Sequence, residues 1–146
     1  MKRLAFVLLA LAVACDSTEP SEPAPDLTGA YTLASYTVDG LTETPPLVRA
    51  ALWLSQDEVG DRSARGGARF QMRRTGYSGG SMSTSAGGRY AHDATGQMFM
   101  SLNRIRFEGT YTLEGDTLII ELFSRETDPM KLTPAAKITW LRGDSM

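Results

Sequence analysis

The feature that most constrains this chain is a run in which apolar and polar residues alternate one for one. Ile105, Phe107, Gly109, Tyr111 and Leu113 are interleaved with Arg106, Glu108, Thr110 and Thr112. Successive side chains of an extended strand point to opposite faces, so this spacing makes one face apolar and the other polar. Glu114-Gly115-Asp116 supplies turn residues, and 117–123 (TLIIELF) is a second run rich in β-branched and large apolar residues. Together they read as a hairpin with one buried face.

The same period recurs along the chain from Leu27. Residues 28–38 are rich in Thr, Tyr and Val, and Asp39-Gly40 closes them with a turn signal. Ala68, Phe70 and Met72 alternate with Arg69, Gln71 and Arg73, and 136–142 forms a last strand. Shorter strands are expected over 88–93 and 98–102, separated by Gly- and Ser-rich connections that include Ala86-Gly87-Gly88. Only 46–55 (PLVRAALWLS) carries a pattern that suggests a short helix. Strands joined by turns, with almost no helical period, predict an all-β domain: a single small antiparallel barrel or a sandwich.

The N-terminus follows other rules. Met1-Lys2-Arg3 is a basic start, and the eleven residues from Leu4 to Ala14 contain no polar side chain. That is well short of the ~20 residues a helix needs to cross a bilayer core. A basic start, a short apolar run and small residues before a cut form the pattern of a secretory signal peptide. The lone cysteine, Cys15, follows Leu11-Ala12-Val13-Ala14. This segment resembles a bacterial lipobox, with Ala12 at the position where leucine is commonest. The resemblance implies cleavage before Cys15, diacylglycerol on its sulfur, and often a further acyl group such as palmitate on the new amino terminus. Two or more chains anchor stably, where one is marginal. Asp16 resembles the signal that retains enteric lipoproteins in the inner membrane, a rule specific to those bacteria, so inner and outer membrane both stay open.

Residues 16–26 (DSTEPSEPAPD) are acidic and proline-rich, the composition of an extended spacer. The expected organisation is therefore a signal peptide over 1–14, a lipidated cysteine and tether over 15–26, and a β domain over 27–146. Removing 1–14 takes away Lys2 and Arg3 but no acidic group, so the net charge falls from −2 to −4. A weakly acidic domain has no overall field for a polyphosphate, which argues against nucleic-acid binding. Arg69, Arg73 and Arg74 do cluster, and read as one solvated face of a strand.

The two ends of the β region carry a second resemblance. Gly29-Ala30-Tyr31 opens the first strand and Trp140-Leu141-Arg142 ends the last. These ends are similar to those of small lipocalin-like barrels, in which Gly-x-Trp opens the first strand and a late arginine packs across the aromatic. Here Tyr31 replaces the tryptophan. The resemblance implies that Arg142 covers Tyr31 by a cation–π contact and closes the barrel floor.

Candidate chemistry is sparse, and no cofactor or catalytic residue is expected. Gly76-Tyr77-Ser78-Gly79-Gly80 fits the G-x-S-x-G nucleophile elbow, but that motif needs a helix after it, and Ser-Met-Ser-Thr-Ser follows. His92 is the only histidine, without the partners a zinc site requires, and reads as a surface residue at a strand end. Asp57, Glu58 and Asp61 lack calcium-loop spacing and read as a solvated loop. The expected function is non-catalytic. Either the barrel holds a small apolar ligand or lipid among Tyr31, Phe70, Met72, Phe107, Tyr111 and Trp140, or these fill a solid core and the domain is an envelope interaction module.

Overall fold

The computed structural model describes residues 22–76, 80–125 and 132–143. Among them run nine strands: β1 (Gly29–Val38), β2 (Leu41–Glu43), β3 (Val48–Val59), β4 (Ser63–Thr75), β5 (Ser81–Asp93), β6 (Gln97–Leu102), β7 (Ile105–Glu114), β8 (Thr117–Arg125) and β9 (Leu132–Arg142). From β3 to β9 each strand pairs antiparallel with the next. β1 pairs with β3 on one side and with β9 on the other, which closes an eight-stranded barrel. β2 is a short flap folded back on the end of β1. The turn signals act as expected: Asp39 and Gly40 both take positive φ between β1 and β2, and Gly115 does so between β7 and β8.

The expected helix over 46–55 is instead part of β3. Leu47, Ala50, Ala51 and Leu54 fit a helical stripe, yet the chain alternates so that Val48, Leu52 and Leu54 are buried while Arg49 and Trp53 face out. Pairing with β4 along the whole strand overrides the local period. The Gly/Ser-rich 81–88 stretch is likewise strand, since β5 pairs with β4 from Ser81 to Asp93.

Closure depends on departures from strict alternation. Leu33 of β1 stands opposite Trp140, but Ser35, not Ala34, stands opposite Thr139. The extra residue is a bulge that reverses which residues face inward. Tyr31 and Leu33 thus point to the core before it, and Tyr36 packs on the core after it. Three inward glycines, Gly66, Gly88 and Gly109, allow tight approach. A Cβ on Gly66 would lie 1.6 Å from the Ser55 carbonyl oxygen, and one on Gly88 would lie 1.7 Å from that of Ser101. Glycine is the residue that lets the sheet coil this closely.

The core gathers Leu27, Tyr31, Leu52, Tyr90, Met98, Leu118, Ile120 and Trp140, all nearly inaccessible to solvent. Burying a side chain such as Leu118 or Ile120 contributes roughly 1.5–3 kcal/mol. Among the described residues the nine strands fall between Gly29 and Arg142, and the core cluster lies between Leu27 and Trp140.

Candidate functional site

The barrel has two unlike ends. At one, the segment before β1 and the end of β9 form a floor. Tyr31 donates its hydroxyl proton to the Leu27 carbonyl at 2.9 Å and accepts from Arg142 Nη2 at 2.8 Å and Nε at 3.3 Å. Arg142 Nη2 also donates to the Asp26 carbonyl at 3.1 Å. The expected contact between Arg142 and Tyr31 is present, with the guanidinium carbon 5.3 Å from the ring centroid. Its stronger part is the pair of charge-assisted hydrogen bonds to the phenol oxygen. Tyr31 thereby uses its one proton and both lone pairs.

Behind this latch the floor is packed solid. Tyr90 stacks on His92 at 5.6 Å, and His92 meets Tyr111 edge-on at 5.2 Å. The Tyr111 hydroxyl donates to the Asp93 carbonyl at 2.6 Å, so it is free to accept from His92 Nδ1–H at 3.2 Å. That places the imidazole proton on Nδ1 and leaves Nε2 buried with no protein partner. His92 is only 2% exposed, which corrects the expectation of a surface residue. The reason is parity: His92 shares the inward face of β5 with Tyr90. Burial lowers its pKa and keeps it neutral, and pushes the Tyr90 phenol up to about 12.

Toward the other end the barrel is hollow. A cavity of about 320 Å³ lies between the Trp140 ring and the open rim. Phe70, Met72, Phe107 and Trp140 border it, whereas Tyr31 and Tyr111 belong to the floor. The six residues singled out by alternation are therefore all inside, but only four reach the cavity. Phe70 meets Trp140 edge-to-face at 6.2 Å, marking the boundary between the filled and hollow halves. Tyr36, Val38, Met100, Leu102, Leu122 and Ala136 complete much of the wall. Inward parity on β6, β8 and β9 would have found most of them. Tyr36 and Val38 were hidden by the bulge.

The wall is almost wholly apolar, with two polar atoms on its residues. One is the Tyr36 hydroxyl. The other is the Trp140 indole N–H, buried without a protein acceptor. An indole in this state is an unspent hydrogen-bond donor.

The remaining motifs resolve into structure. Asp57 and Glu58 lie on β3 and not in a loop; they pair with Arg89 at 3.4 Å and Arg65 at 2.5 Å. Gly76 and Gly80 join β4 to β5, strand to strand, and Ser78 lies outside the described residues, as do Cys15 and the signal segment. No known protein-family model matches the chain, and no characterised protein is significantly similar to it.

Proposed function

We propose that this chain is a bacterial envelope lipoprotein, anchored through lipid on Cys15, whose barrel binds a small, largely apolar molecule such as a single acyl chain. The anchoring half of this reading rests on the lipobox-like sequence before Cys15. The ligand half rests on one observation: an apolar cavity of about 320 Å³ inside a barrel with a closed floor. That volume sits at the lower end of the ~300–1,000 Å³ typical of ligand sites. A solid core would have suited the interaction-module alternative, and the hollow upper half favours a ligand.

The chemistry of the wall selects the ligand class. Met72, Met100, Leu102 and Phe107 offer dispersion contacts and no charge, so a buried ionic group would be costly there. A chain or ring system enters, and any charged group stays at the rim. The lipocalin-like resemblance of the strand ends agrees with such a role, since Arg142 and Tyr31 close the floor beneath the cavity.

Fluorescence titration with phenylnaphthylamine tests the reading. The expected result is saturable enhancement, reversed by a medium-chain fatty acid or its ester. Absence of any saturable uptake by the folded protein would overturn it.

A further inference from the structure

The cavity opens at the end where β1, β4, β6 and β8 finish, and among the described residues the two most exposed large apolar side chains lie there. Leu41 is 75% exposed and Met82 is 77% exposed, with Leu47 and Ile105 also prominent. They sit on separate segments around the mouth: the start of β2, the β2–β3 loop, the start of β5 and the start of β7. No single flat apolar face results. Apolar tips spread around the rim, with Leu47 and Met82 sharing one concavity, suit a surface that adapts to them, as a bilayer does, better than a rigid protein partner.

Among the described residues the charges at the same end are mostly basic, with Asp39 and Glu43 the acidic exceptions. Arg49 and Arg73 stand directly opposite one another on β3 and β4, both facing out, in a row with Ser83 of β5. Like charges in directly opposed cross-strand positions repel and destabilise the sheet. Among the described residues no carboxylate pairs with either; Arg74, one position along, takes Glu43. Arg104 adds a second anomaly. It occupies the β6–β7 turn at φ 71°, a left-handed conformation that a bulky side chain adopts at a cost and that glycine would take freely. A strained arginine and an unneutralised pair, all at the mouth, point to an anionic surface applied from outside. The floor end carries Asp26, Asp61, Asp93, Glu114 and Asp116 against Arg62 and Arg142, a net negative set, so the field along the barrel directs the mouth toward that surface.

We propose that the open rim is a docking surface for an anionic lipid bilayer, with Leu41, Leu47, Met82 and Ile105 entering the headgroup region and Arg49, Arg73 and Arg104 held by lipid phosphates. This rests on the cavity reading and deepens it: the docked rim brings the cavity mouth against the acyl chains. Each arginine brought near an anionic membrane raises partitioning about fivefold at low salt.

The test uses the chain from Glu22 onward, which holds all the described strands and the core, without the apolar leader or Cys15, in flotation with vesicles. Equal parts phosphatidylglycerol and phosphatidylcholine are compared with phosphatidylcholine alone. Docking requires flotation with the anionic vesicles, weakened by salt, and much less with the neutral ones. Arg49→Gln with Arg73→Gln should weaken it by about 25-fold, and Leu41→Ser with Met82→Ser should weaken it at any salt. Arg104→Gly is the sharpest variant, because it relieves the strained turn: its melting temperature should rise while vesicle binding falls about fivefold. No flotation, or flotation equal in all variants, overturns the proposal, as does capture by a protein partner through the same residues without lipid. Phenylnaphthylamine uptake in solution is read in parallel. A protein that takes up the probe but does not float loses the docking proposal alone. One that floats but takes up no probe loses the cavity reading and keeps the docking surface.

Discussion

Arg142, the last residue of β9, holds the hydroxyl of Tyr31, near the start of β1, at 2.8 Å through Nη2, and so links the two strands where the barrel closes. The same guanidinium reaches the Asp26 carbonyl, tying the segment before β1 to the floor. Arg142→Ala is expected to cost about 2 kcal/mol, the range for hydrogen bonds to a charged group. Tyr31→Phe should cost about 1–2 kcal/mol, because it leaves Arg142 and the Leu27 carbonyl without their partner. Urea unfolding checks both. In a double-mutant cycle the two losses should be markedly less than additive.

Acid should loosen the same floor. His92 is neutral in the folded barrel because burial lowers its pKa below the ordinary 6.5. The unfolded chain therefore binds a proton at a pH where the folded one does not, and stability falls as pH drops through about 6.5 toward the folded value. Asp26 and Asp93, whose pKa values are lowered by hydrogen bonds from Thr28 and Thr95, add a further loss only below about pH 4. Melting temperatures between pH 7.5 and pH 5 should fall for the native protein, and His92→Phe should flatten that decline.

Two of the closely approached glycines give a paired test. Gly66→Ala or Gly88→Ala drives a methyl group into a backbone carbonyl that cannot move aside, at an expected cost of about 3 kcal/mol or more. Gly87→Ala, next to Gly88 on β5, meets nothing within 4 Å and should change stability by less than about 0.5 kcal/mol. Thermal unfolding of the three variants separates close approach from mere glycine content.

How much of this could be read from the sequence follows from where strict alternation holds. It holds on β7 and along the inward side of β4, and there Phe70, Met72, Phe107 and Tyr111 were legible as interior residues. It fails at the Leu33/Ser35 bulge, which conceals Tyr36 and Val38, because a bulge leaves no periodic signal. In β3 a helical stripe and a strand face coexist in the same residues, and only pairing with β4 decides between them. The division between floor and cavity depends on which inward side chains share a level, a property of the closed barrel and not of any strand alone.

Anchoring has its own readout. Cys15→Ser in the full chain should block lipid attachment and move the protein from the membrane fraction to an unprocessed or soluble form. Mass spectrometry should find acyl groups on the mature N-terminus of the native protein. An unmodified N-terminus elsewhere, with release into the medium, would contradict the lipoprotein reading.

The most direct test of the hollow barrel is to fill it. Ala136 of β9 lies on the cavity wall, and Ala136→Phe would place a ring in the cavity beside Phe107 and Leu122. The phenylnaphthylamine affinity of this variant is the measurement. The expected result is a folded barrel, with a melting temperature equal to or above the native one, whose affinity has fallen at least about tenfold, or about 1.4 kcal/mol. A folded Ala136→Phe protein that binds the probe as tightly as the native chain would show that the ligand does not occupy this cavity.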